Sequence, residues 1–310
     1  MACRTTIEWI SHAELSAAHA AYSVATEATC NDQKTEKLLV QPVTEVNNRL
    51  FASAVDVGQF WQQYLLLIMS DIPLEKACEA ALLASGANEM QLDQTSKAVA
   101  NRLGDARHAF FSRYPKITEQ LELRARPLRE RWDTFGPGLL NQVGKQIWGD
   151  GPPEDWWQQQ VTALCVQPVR GGDGGYHPNQ ARIWLEAMLT DVDALVPEVL
   201  RVAWLVTSMA IDSYARQTSS DLRLMQPWLL ASVPLVLNAG SELELVRGDR
   251  LPINEAMKLW RFGDDEVGTI VARWWESTLG SEAPMPARLK QLDESLPDPS
   301  RRADASDVGF

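Results

Sequence analysis

The sequence predicts a mainly α-helical fold with a small antiparallel β element, an α+β arrangement. Three observations predict it. Apolar residues recur at three- and four-residue spacing over most of the chain, as in Phe60, Trp61, Tyr64, Leu65 and Ile68, which is the period of one helix face. One stretch, residues 161–189, alternates with period two around a glycine-rich loop, the pattern of a β-hairpin. The composition, 45% hydrophobic and 23% charged over 310 residues, is that of a packed chain rather than a disordered one.

Taken in order, Ser11 with Glu14 three residues on forms a capping box and starts an alanine-rich helix running towards Cys30. Residues 38–43 (LLVQPV) read as a short edge strand ended by proline. Residues 56–115 read as three helices: the first carries the Phe60 stripe, the second starts at Pro73 and ends at Gly86, and the third covers 89–113. Residues 116–135 place Ile117, Leu121, Leu128 and Trp132 on one stripe, with Pro127 kinking or dividing it. A short helix over 136–148 follows. The segment GDGPPED, 149–155, is a linker, because its glycines and adjacent prolines cannot continue a helix.

A strand over 161–169, a loop over 170–179 and a second strand over 181–189 make the hairpin, a helix starting at Gln180 being the competing reading. Residues 197–216 form the most apolar helix, with Val199, Val202, Ala203, Val206, Met209 and Ala210 covering much of its circumference. Glu198 and Arg201, three apart, are expected to pair on it; Asp212 is either buried or at a helix end turning out to solvent. Residues 222–238 pack beside it, interrupted by Pro227 and Pro234, and 253–279 supply one or two more helices. The organisation expected is a helical part over 1–148, the linker over 149–155, a hairpin-plus-helix part over 156–280 packed on the first, and a loosely ordered tail over 281–310. The hexapeptides LLVQPV (38–43) and LCVQPV (164–169) differ at one position and raise the question of an internal duplication.

The net charge of −12, from 41 acidic and 29 basic residues, disfavours nucleic acid and anionic membrane faces as partners. A basic stretch from Arg102 to Arg131 reads as a solvated helix face laced with ion pairs. Four cysteines without a CxxC pair do not make a disulfide framework, no secretory signal is visible in residues 1–10, and no apolar run reaches membrane-spanning length, so a cytoplasmic protein is expected. Twelve tryptophans point to a well-anchored core, with Trp156 and Trp157 the one pair considered for an exposed stacking surface.

The candidate ligand or docking loop is RGGDGGYH: Arg170, Gly172, Asp173, Gly174, Gly175, Tyr176 and His177. Its glycines admit positive φ, and turned amides beside Arg170 can form an anion-binding nest. No GK[ST] follows, so it is not a phosphate-binding P-loop, and a strand follows where a dinucleotide fingerprint needs a helix. Asp173 and His177 fall short of the ligand set of a catalytic zinc, so neither a metal nor another cofactor is expected. The order of hairpin, buried helix and partner helix resembles the layout of zincin metallopeptidases, but the helix PEVLRVAWLVTSMAIDSY lacks the HExxH histidines. With no complete catalytic set, the first expectation is a non-catalytic interaction or scaffold protein that binds a protein partner or itself. A hydrolase-like enzyme using Arg170, Asp173 and His177, and a small-ligand-binding protein with its site between the tryptophan-rich helices, are the alternatives.

Overall fold

The computed structural model describes residues 5–28, 30–217, 225–281 and 283–297. The chain is 65% helical, with eleven α-helices and one four-stranded sheet among the described residues, so the fold is mainly α with a small β element. It divides into two compact units, which do not follow the expected boundary at 149–155. A helical unit takes residues 10–123 and 164–171; a mixed unit takes 5–9, 124–163 and 172–297 of the described chain.

The helical unit contains α1 (Ala13–Ala25), α2 (Gln33–Ala52), α3 (Val57–Met69), α4 (Leu74–Ala84), α5 (Leu92–Arg113) and the start of α6 (Ile117–Trp148). α1 packs on α2, α3 and α5, and its residues 15–23 are all buried. Its cap differs from the expected Ser11–Glu14 box. His12 is the N-cap, its Nδ1 accepting the Leu15 N–H at 3.1 Å, while Ser11 ends a strand, β1 (Thr6–Ser11).

Residues 38–43 are not an edge strand but the interior of α2, with Pro42 inside the helix. Asp32 caps α2 by accepting from the Lys34 and Thr35 N–H groups, and Leu39, Val43, Val46 and Leu50 then fall at helical spacing on one buried face. The buried stripe outweighs the one N–H that Pro42 withholds. The related LCVQPV instead closes a strand, β2 (Gln160–Val166), and the turn after it, so the two hexapeptides do not mark a repeated unit.

α6 runs unbroken through Pro127 and Pro137 for 32 residues, where the sequence suggested a division. Ile117, Leu121, Leu128 and Trp132 are buried along it as expected. Gly136 makes room for the ring of Trp132, one turn back, since a Cβ there would lie 2.5 Å from it.

The sheet order is β1-β2-β4-β3, with β3 (Gly174–Tyr176) and β4 (Arg182–Glu186) both in the mixed unit. The hairpin with a long tip is therefore corrected: part of the expected loop is itself a strand. β3 pairs with β4 in antiparallel register, Gly174 facing Leu185 and Tyr176 facing Ile183. β1 runs parallel to β2, the Thr6 N–H bonding the Gln159 carbonyl at one end and the His12 N–H bonding that of Cys165 at the other, each at 2.9 Å. Helices α7 (Glu198–Gln217), α8 (Met225–Glu242), α9 (Ile253–Leu259), α10 (Asp265–Thr278) and α11 (Met285–Ser295) complete the unit. α7 is buried continuously from Glu198 to Asp212, as its apolar circumference predicts. α11 lies in the expected loose tail, yet Met285, Leu289 and Leu292 bury into the core.

Asp32 also ties α2 to the end of α5. Its carboxylate accepts from Arg113 through two nitrogens and from the Tyr114 and Thr35 hydroxyls. Partial burial opposes its ionisation, but the hydrogen bonds from Tyr114, Arg113 and Thr35 prevail and hold the carboxyl well below the usual carboxylate range. A depressed carboxyl contributes stability above its unfolded pKa, near 3.8, and loses it as pH falls further. Asp32→Asn keeps a capping side chain but loses the charge that Arg113, Tyr114 and Thr35 bond, so it is expected to lower stability at pH 7 by about 1 kcal/mol or more. In urea unfolding, the gap to wild type should be smaller at about pH 3 than at neutrality; a gap independent of pH would remove Asp32 from this role.

Candidate functional site

The glycine-rich loop is tied down from inside. Gly172 and Asp173 donate their N–H groups to the Glu186 carboxylate at 2.7 and 3.1 Å. The Asp173 carbonyl accepts from Arg201 Nη1, the Glu186 carbonyl accepts from Arg201 Nη2 at 2.8 Å, and Glu198 receives Nε at 2.9 Å. Arg201 and Glu186 are wholly buried. This confirms the expected Glu198–Arg201 pair, and its role is to join α7 to the strand ends. Gly172, at φ +108°, is needed because a Cβ would press on the Leu259 carbonyl at 3.2 Å.

None of the loop residues 170–177 is fully exposed. On the helical-unit side of the division, the Arg170 carbonyl accepts from Asn31 Nδ2 at 2.9 Å. Gly174 and Gly175 are strand residues with negative φ, so positive φ is confined to Gly171 and Gly172. The Asp173 Oδ1 accepts the Gly174 N–H at 2.9 Å. The Tyr176 hydroxyl is held in its neutral form by burial and by the nearby Asp212 carboxylate. Burial and the Arg182 charge shift His177 towards its neutral form, and its Nδ1 accepts from the Asn179 N–H at 3.2 Å. Asp173 and His177 flank β3, and at ~3.3 Å per residue an extended strand holds them roughly 13 Å apart. They cannot share one ion. Among the described residues no three His, Cys, Asp or Glu side chains converge on a metal position.

Two cavities elsewhere among the described residues bear on function. In the helical unit, one of about 400 Å³ is floored by Ala17, Ala18 and Ala21 and edged by His12, Glu14, Tyr64, Asp71 and Arg107. Its polar groups are partnered: Arg107 bonds Glu14 through two nitrogens at 2.6 and 2.5 Å, and His12 Nε2 lies 3.3 Å from Asp71 Oδ1. The positive φ of Asp71 belongs to helix termination, since Glu27 and Ala54 have it just past other helix ends.

The second cavity, about 660 Å³, lies in the mixed unit, and its described wall is aromatic. Trp148, Trp156, Tyr214 and Trp228 line it together with Ile147, Ile211 and Met225. The rings support one another edge to face, Trp148 and Trp156 with centroids 5.3 Å apart and Trp148 and Tyr214 5.4 Å apart. Trp156 and Trp157 are buried, so they form no exposed stacking surface. Trp148, Tyr214 and Trp228 stay half-buried and line the cavity. Arg288 is the one charged group on this wall among the described residues.

Of these residues, the sequence reading had singled out only Trp156. The available signal was the tryptophan distribution: eleven of twelve lie in the mixed unit, Trp61 being the exception. No protein-family model, curated protein or solved structure matches this chain.

Arg201→Met is expected to cost about 3–5 kcal/mol, since it strands the buried Glu198 carboxylate. Pairing it with Glu198→Leu should recover part of that loss, whereas His177→Ala should stay within about 0.5 kcal/mol. Urea unfolding of the four proteins decides it, and a mild Arg201→Met would refute the network's structural weight.

Proposed function

We propose that the chain is a small-ligand-binding protein whose site is the aromatic cavity of the mixed unit. The observation that carries this reading is the exposure of Trp148, Tyr214 and Trp228 around a space of about 660 Å³. This open space falls within the roughly 300–1,000 Å³ of ligand sites. Leaving such rings wet forgoes about 25 cal/mol for each Å² of apolar surface, which an apolar ligand would recover. The hydrolase reading of residues 170–177 is not favoured, because the loop's polar groups are engaged in holding the strands.

Partner docking keeps one specific support, in the loop after β4 rather than at residues 170–177. Leu189, Val192 and Leu195 are 53%, 45% and 46% exposed there. Self-association through this loop predicts that Leu189→Ser/Val192→Ser/Leu195→Ser moves sedimentation towards monomer at matched concentration. Identical profiles would end that reading. Among the described residues no helix is long and apolar enough to cross a membrane. A cytoplasmic setting without nucleic-acid partners fits the charge of −12.

The cavity reading is tested with N-phenyl-1-naphthylamine, a neutral dye that brightens in apolar sites. Saturable uptake near one dye per chain is expected, with energy transfer from tryptophan. Filling the cavity by Ala215→Phe or Ile211→Trp should weaken uptake by about tenfold or more, a loss of about 1.4 kcal/mol, in a protein that still unfolds cooperatively. Absent uptake, or uptake indifferent to both fillings, contradicts the proposal.

A further inference from the structure

The charge on the cavity wall defines the ligand further, on the premise that the cavity is the binding site. Arg288 comes from α11, and its guanidinium lies over the rings of Trp274 and Trp275, 5.7 Å from each centroid. Its Nη2 donates to Thr278 Oγ1 at 3.0 Å, while its Nε is buried with no partner among the described residues. No described carboxylate pairs with it, in a chain carrying 41 acidic residues.

Burial alone pulls the Arg288 pKa down, the mark of a charge taken partly out of water without a counter-charge. A guanidinium stays protonated at any physiological pH, so an anion, and not loss of a proton, is what would offset this partial desolvation. The other charged cavity, beside His12, already has its polar groups partnered. The first turn of α11 opens on the aromatic cavity through Pro284, Met285 and Pro286, with no side chain capping it, and adds positive potential.

We infer that the cavity takes an amphipathic organic monocarboxylate, with its apolar body against Trp148, Tyr214 and Trp228 and its carboxylate on Arg288. A planar carboxylate suits the guanidinium fork, which has donors left over after Thr278. A single charged group on the described wall, beside the neutral polar side chains of Gln146 and Ser281, selects one negative charge rather than several. A dicarboxylate or phosphate diester would bring further polar oxygens against indole and aliphatic surface, at a desolvation cost.

The test is displacement of N-phenyl-1-naphthylamine by octanoate and by octanamide, which share a chain and differ in charge. In wild type, octanoate should displace the dye at on the order of tenfold lower concentration than octanamide, the strength of a charged hydrogen-bonded pair. Arg288→Met should bring the two to parity while dye uptake persists, and Arg288→Lys should keep an intermediate preference. Equal displacement in wild type, with the dye bound, overturns this inference and leaves the cavity reading standing. A preference that survives Arg288→Met overturns it as well, by moving the carboxylate elsewhere. If the dye itself is not taken up, the cavity reading fails, and this inference with it. Should Arg288→Met not fold, Arg288→Gln and the wild-type ratio carry the decision.

Discussion

The mixed unit is organised around a fully buried guanidinium. Arg201 is 0% exposed, and acceptors from three residues meet its guanidinium. Two backbone carbonyls, of Asp173 and Glu186, and the Glu198 carboxylate accept its N–H groups, while the Glu186 carboxylate turns back to hold the Gly172 and Asp173 amides. A charge in such a place is tolerated only when it is paired and hydrogen-bonded throughout. That requirement sets the end of β4, the start of β3 and the first turn of α7 relative to one another. It also explains the glycines, since the chain must pass Leu259 closely to bring those two amides onto Glu186.

Arg288 presents the opposite case in the same unit. It is a partly buried cation backed by aromatic faces and a hydroxyl, with no described carboxylate. One arginine completes a structural network and the other borders a space. The same electrostatic rule applies to both: a buried charge partnered within the chain holds the fold together, and for Arg288 the counter-charge is what the proposed ligand would supply.

Much of the architecture was legible in the sequence, for reasons that can be stated. α7 has apolar residues around its whole circumference, and it is buried from end to end. The Glu198–Arg201 spacing announced their pair. What was not legible depended on context longer than a hexapeptide. LLVQPV and LCVQPV are nearly the same string, yet one lies in a helix and the other closes a strand, because Asp32 and the Val46–Leu50 continuation act only on the first. β1 was missed although Ile7 and Trp9 alternate with Thr6 and Glu8, since six residues without turn signals are weak evidence for a strand. The glycine loop drew attention through its composition, but composition does not reveal that Glu186, fourteen residues beyond Gly172, occupies its amides. The aromatic cavity was hidden because its residues come from α6, the segment after it, α7, α8 and α11, which no local spacing connects.

The central claim is that this cavity is a ligand site, and locating a ligand in it is the most direct test. Crystals grown with a bromine-tagged medium-chain carboxylate would place the bromine by anomalous scattering. The account predicts one dominant peak inside the cavity bounded by Trp148, Tyr214 and Trp228, with the carboxylate against Arg288. A cavity without bromine, in crystals whose only peaks lie on the surface, would contradict it.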